Sequence, residues 1–134
     1  MRAREDNSSL TRFFPQTMEY QQAEEFAKAW VAAWNAHDME RILAHYEDDF
    51  EMSSPAIVRF AGEPSGVLKS KQAVAEYWSA ALTRYPELRF ELLHVLCGTR
   101  TVTLVYDGAL GVSAEVFHFG DSGKVARAYA HYKF

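Results

Sequence analysis

The chain's one candidate for proton chemistry is Glu115. It lies in the run Ser113–Phe119, where alternation places Glu115, Phe117 and Phe119 on one face of a strand. A carboxyl among phenylalanines is partly desolvated, and desolvation raises its pKa. Such a group can act as a general acid, a general base or a fixed hydrogen-bond partner for a ligand hydroxyl. Two other readings stay open at this point. The face can be the opposite one, or Glu115 can pair with Arg89, Arg100 or Arg127 on the sheet.

Other reactive side chains form no comparable group. The five histidines are His37, His45, His94, His118 and His131. No two share a spacing that ligates metal, and no carboxylate completes a set, so no metal and no cofactor are expected. Cys97 reads as a small buried hydrophobe. Ser53 and Ser54 have no neighbouring base to activate them. The segment Gly62–Gly66 contains Glu63 and Pro64 and opens no helix, so it is not a phosphate cradle. Nine Phe, seven Tyr and three Trp supply a large aromatic surface, with polar tips on Tyr and Trp.

Periodicity supplies the elements that must carry these groups. A first helix is expected from an N-cap at Thr17 to about Ala36, with Ala23, Phe26, Ala27, Trp30 and Trp34 on its apolar face. Asn35-Ala-His37 breaks it. Asp38 caps a short second helix with Met39, Ile42, Leu43 and Tyr46 turned inward. A strand follows at Phe50–Ser54, with Phe50, Met52 and Ser54 on one side, and Pro55 stops it. Residues 55–69 form a long loop with a short strand at Ile57–Phe60. Ser70 caps a third helix over 71–84, with Val74, Tyr77, Trp78, Ala81 and Leu82 inward. Strands are then expected over Leu88–Cys97, Thr101–Asp107, Ser113–Phe119 and Lys124–Tyr132, as an antiparallel meander. Helices first and strands last imply an α+β domain, with three helices wrapped on a curved antiparallel sheet around a conical pocket.

The totals agree with one domain. A chain of 134 residues can bury a core without disulfides. We read 1–16 as a flexible extension, with Phe13-Phe14 its one apolar piece, and 17–134 as the domain. A net charge of −4 argues against nucleic acid and anionic membranes. A single cysteine and a charged start without an apolar run point to a cytoplasmic protein.

Four stretches carry a family resemblance. They are Trp30-Val-Ala-Ala-Trp-Asn-Ala-His-Asp38, Tyr46-Glu-Asp-Asp-Phe50 with Ser53-Ser54-Pro55, Lys71-Gln-Ala-Val-Ala-Glu-Tyr-Trp78, and Phe117-His-Phe-Gly-Asp-Ser-Gly-Lys-Val125. Over residues 20 to 132 the chain resembles the SnoaL-like branch of the nuclear transport factor 2-like (NTF2-like) superfamily, and more distantly the ketosteroid isomerases. The superfamily includes isomerases, cyclases, dehydratases, epoxide hydrolases and non-catalytic binding modules, so fold alone does not fix function. Ketosteroid isomerases use a carboxylate base before the proline that ends the first strand, a tyrosine on the first helix and a protonated acid on the penultimate strand. The resemblance places Ser54, Trp30 and Glu115 at those positions. Serine without a base abstracts no proton, and an indole N–H is a weak donor, so that mechanism is not expected here.

The reading is therefore a small-molecule pocket with Glu115 as proton-transfer group, assisted by Tyr46 and His94. The expected lining is Trp30, Tyr46, Met52, Ser54, Trp78, Tyr106, Phe117 and Tyr132. The ligand is expected to be small, apolar and oxygenated. The alternatives are a binding module without chemistry and a dimerising module whose hollow is filled by side chains. His118 and His131 are expected on the opposite sheet face with Thr101, Thr103 and Val105. The resemblance makes that outer face a homodimer interface.

Overall fold

The structure, a computed structural model, describes residues 18–134. The extension 1–16, its Phe13-Phe14 pair and the Thr17 cap lie outside the described residues.

Helix α1 spans Tyr20–Asn35 and buries Ala23, Ala27, Trp30, Ala33 and Trp34. The 3- and 4-residue spacing of these side chains makes one apolar stripe. Its start is held by Glu19, whose backbone N–H donates to Gln22 Oε1 at 3.0 Å. It ends at His37, where a φ of +54° halts the helical path. Asp38 caps α2 (Met39–Leu43) by accepting from the Arg41 N–H at 3.2 Å. Helix α3 (Lys71–Arg84) starts on Ser70, whose Oγ accepts from the Ala73 N–H at 3.2 Å.

Six strands form one curved, unclosed sheet in the order β2-β1-β6-β5-β4-β3. They are β1 (Tyr46–Ser53), β2 (Val67–Lys69), β3 (Glu91–Cys97), β4 (Thr101–Gly108), β5 (Gly111–Phe119) and β6 (Val125–His131). The expected meander is β3 to β6, with every pairing antiparallel. One pairing departs from the expected all-antiparallel sheet: β1 runs parallel to β6, placing Met52 beside Ala128 and Ser53 beside Tyr129. The inner face carries Val102, Leu104 and Tyr106 from β4, and Ser113, Glu115 and Phe117 from β5, all buried. The helices lie against this face and close the core. Fully burying a side chain such as Phe50 or Phe117 stabilises the fold by roughly 2 to 3 kcal/mol.

Four local expectations are corrected. Tyr46 is the first residue of β1 and not the last inward residue of a helix. Ile42 and Tyr46 are four apart and look helical, but an interval of four also returns a side chain to the same face of a strand, and Tyr46 pairs with Val125 of β6. The expected strand at Ile57–Phe60 is a turn of π-helix over Ile57–Ala61. The loop instead supplies β2, which pairs Glu51 with Lys69 and Ser53 with Val67. Cys97 is exposed, with its thiol 3.3 Å from the Met18 carbonyl, because it closes an edge strand at the turn to β4.

Candidate functional site

The inner face of the sheet brings Glu115 to the middle of two rows. Leu104 on β4 and Ala130 on β6 flank Glu115 in register. Ser54 follows Ser53, whose partner is Tyr129, and so comes beside Ala130 from the other side. Two strand spacings, about 10 Å, therefore separate the Ser54 and Glu115 backbones. The next row carries Tyr106 opposite Ser113, with Tyr132 just past the last paired position of β6. Small residues at the centre of each row (Ala130, Ser113) and polar ones at its sides leave a hollow with a polar floor.

Glu115 is 3 % exposed. Tyr106 donates its hydroxyl proton to Glu115 Oε1 at 3.0 Å. Burial pushes the carboxyl up to about 7, and the Tyr106 bond, which favours the charged form, opposes that rise. Among the described residues no ion pair joins Glu115; Arg100 pairs with Asp121 at 2.9 Å. Arg127 lies in the row of His118 on the outer face, away from Glu115. Of the two faces open to Glu115, the strand presents it inward.

Burial and the nearby carboxylate also raise the Tyr106 and Tyr132 phenols. Burial takes Tyr77 to about 12, against the lowering pull of Arg84 and of a hydrogen bond with Ser54. Ser54 acts on Tyr132 in the same sense. These phenols therefore stay protonated near neutrality and serve as donors.

The roof comes from the helices. Trp30 and Trp34 descend from α1, Tyr77, Trp78, Ala81 and Arg84 from α3, and Ala56 and Phe60 from the π-helical turn. Phe90 stacks on Trp30 with ring centroids 5.4 Å apart and 16° between planes. The helix break holds it there. Asn35 donates to the Phe90 carbonyl at 3.0 Å and accepts from the Phe90 N–H at 2.7 Å. A His37 ring nitrogen lies 2.8 Å from the Leu88 carbonyl oxygen. Gly108 is needed beneath this ring, since a Cβ there would lie 2.8 Å from the Phe90 ring carbons. The hollow these groups enclose has a volume of about 80 Å³.

Six of the expected lining residues face this hollow: Trp30, Met52, Ser54, Trp78, Tyr106 and Tyr132. Tyr46 and Phe117 lie behind it in the core. The Tyr46 hydroxyl accepts from Trp30 Nε1 at 2.8 Å, and its ring packs on Phe50 at 4.3 Å. Phe117 packs edge-on against Phe26 at 4.9 Å and Trp30 at 5.4 Å. His94 is paired with Val105 on the outer face and is exposed, so it does not assist Glu115. His118 lies on that face too, against Tyr129 at 5.4 Å, with its pKa lowered by partial burial and Arg127. Among the described residues no group of three His, Cys, Asp or Glu side chains is placed to hold a metal ion.

Tyr77, Ser113, Arg84 and Phe60 also line the hollow; Tyr77 was expected inward on its helix, but none of the four was expected in the lining. A signal existed for two of them. Tyr77 and Arg84 are two helical turns apart on the face that carries Trp78 and Ala81. Trp34 is notable for a buried indole N–H that has no hydrogen-bond partner among the described residues, while Trp78 packs edge-on to its ring at 5.2 Å.

This layout, helices roofing a curved sheet around a hollow with an acid on the penultimate strand, defines a class. Residues 27–134 match the SnoaL-like domain, and the chain belongs to that family. A SnoaL-like protein of unknown function from Burkholderia thailandensis is 48 % identical, covering 88 % of this chain and 99 % of that one, with a TM-score of 0.85. An NTF2-like protein of Cytophaga hutchinsonii (9 % identical, 83 % and 89 % covered, TM-score 0.63) shares the fold. So does a candidate ketosteroid isomerase of Kribbella flavida (15 % identical, 85 % and 79 % covered, TM-score 0.66). Among proteins of curated function, none matches. Among the described residues no helix is long and apolar enough to cross a membrane.

Proposed function

We propose that residues 17–134 form a single domain that takes up a small, apolar, oxygenated molecule in this hollow, with Glu115 as the proton-transfer group. One observation carries the reading: a buried carboxyl lines the hollow and accepts a hydrogen bond from Tyr106, and its burial pushes its pKa up to about 7. A general acid or base is most effective when its pKa lies near the working pH. The protonated form can donate to a carbonyl or hydroxyl oxygen. The ionised form, which the Tyr106 hydrogen bond stabilises, can take a proton from carbon or oxygen and becomes the neutral acid. Isomerisation, cyclisation and dehydration each include such proton transfers. Trp30, Met52, Ser54, Trp78 and Tyr132 supply the walls.

A second reading keeps the ligand and drops the chemistry. The positions of the isomerase base and tyrosine hold Ser54 and Trp30, and the Trp30 N–H is already committed to Tyr46. A lone proton-transfer group then serves to anchor a ligand hydroxyl. Native mass spectrometry of the purified protein identifies a retained small molecule, and Glu115→Gln separates the readings. Loss of turnover with binding retained supports catalysis. Unchanged turnover sinks it, and a ligand recovered without chemical change favours binding alone.

The proposed assembly is a cytoplasmic homodimer through the outer sheet face. Leu93, Leu96 and Val112 support it, at 41 %, 57 % and 45 % exposure around Val105 and Val116. Light scattering is expected to give twice the monomer mass, and Leu96→Asp to return the monomer. A monomeric parent protein at micromolar concentration contradicts the assignment.

A further inference from the structure

The hollow is small for the ligand proposed above. Its volume of about 80 Å³ is roughly half that of an engineered apolar cavity that takes up benzene, about 150 Å³. A molecule with an apolar body and an oxygen at Glu115 must therefore extend through the mouth.

The mouth carries a cation. Arg84, in the last turn of α3, lines the hollow together with Phe60. Its guanidinium carbon lies 4.5 Å from the centroid of the Phe60 ring. Among the described residues Arg84 joins no ion pair; the pairs formed are Lys71–Asp48 and Arg100–Asp121. The surface continues outward from Arg84 over Tyr85 and Leu88 to Arg89 and Glu87 as a groove of about 420 Å³. The helix dipole accounts for a cation in the last turn. It does not account for the guanidinium lying over an aromatic ring that also lines the hollow. A guanidinium stays charged at all working pH values and presents a planar fork that matches a carboxylate with two hydrogen bonds. Stacking on Phe60 restrains that fork before a ligand arrives.

We infer that the ligand is an apolar carboxylate whose acid group is held by Arg84 at the mouth while a carbonyl or hydroxyl oxygen reaches Glu115 and Tyr106. The inference rests on the reading of Glu115 given above. A carbon chain joins the two poles within a hollow whose lining includes the apolar Trp34, Trp78 and Ala81.

The test is calorimetric titration with straight-chain oxo-carboxylates, from 4-oxopentanoate to 7-oxooctanoate, and with their methyl esters. The proteins are the unmodified chain, Arg84→Gln, Arg84→Lys and Glu115→Gln. A charge-assisted pair predicts that the best acid binds about tenfold or more tightly than its ester. Arg84→Gln is expected to erase that preference and Arg84→Lys to keep part of it. Equal affinity for acids and esters overturns the inference, as does an acid preference that survives Arg84→Gln, or no binding by any member. If acids and esters bind equally and Glu115→Gln weakens both, only the carboxylate inference fails. If acids bind through Arg84 and Glu115→Gln changes neither binding nor turnover, the carboxylate contact stands, and the Glu115 contact falls together with the proton-transfer reading.

Discussion

Replacing Glu115 by Gln should make the protein more stable at high pH and leave it little changed at low pH. Folding raises this carboxyl from 4.5 to about 7. The folded state therefore holds the proton more tightly than the unfolded chain. The stability tied to that proton is fully present below pH 4.5. It is lost as pH rises towards 7, after which the loss levels off. The size of that loss is about 3 kcal/mol, since each pKa unit is worth about 1.4 kcal/mol. Gln has the same shape, accepts from Tyr106 through its amide oxygen and never ionises. Urea unfolding followed by tryptophan fluorescence, in parallel for both proteins from pH 4.5 to 8.5, isolates the effect as a difference curve. That curve should rise with pH, with its steep part below pH 7, to a plateau of about 3 kcal/mol in favour of Gln. A flat difference curve, or one in which Gln is the less stable at pH 8.5, would refute the reasoning.

Other expectations follow from the same packing. Tyr106→Phe removes the hydrogen bond that favours the ionised carboxyl, so the fall in stability should shift to higher pH in the same urea series. Trp30→Phe strips the Tyr46 hydroxyl of the indole donor, whereas Trp34→Phe removes an N–H that has no partner among the described residues. The first change should therefore cost about 1 to 3 kcal/mol more than the second in urea unfolding. Ala81→Leu pushes a larger side chain into the hollow from α3 and should abolish carboxylate binding in calorimetry, while circular dichroism shows the fold retained. Cys97 is exposed, and an aromatic disulfide reagent should titrate one thiol in the folded protein, slowly because its pKa is raised by desolvation.

The long-period features of this fold were legible in the chain. The stripe of Ala23, Ala27, Trp30 and Trp34 announced α1, and strict alternation at Thr101–Asp107 and Ser113–Phe119 announced β4 and β5, while the face of Glu115 stayed open until its burial placed it inward. Local signals misled where they fit more than one structure. Tyr46 follows Ile42 by four residues, a spacing that a helix face and a strand face share. The segment Ile57–Phe60 has the β-branched content of a strand, yet the chain must turn sharply after Pro55 and coils into a π-helical turn. Val67–Lys69 is too short to show a period, and only its pairing with β1 defines it. At the site, alternation identified the residues on the sheet except Ser113. It did not separate those that reach the hollow from Phe117 one row below. Arg84 escaped notice because a helix-terminal arginine ordinarily points to water, and its contact with Phe60, far away in sequence, is visible only in the folded chain.

The most direct test of the account is a carbon NMR titration of the Glu115 side-chain carboxyl, assigned by its absence in Glu115→Gln. A midpoint near 7 is predicted, displaced upward in Tyr106→Phe. A midpoint near the ordinary glutamate value of about 4.3 would mean a solvated or ion-paired carboxylate, and would contradict the proton-transfer role at the centre of this account.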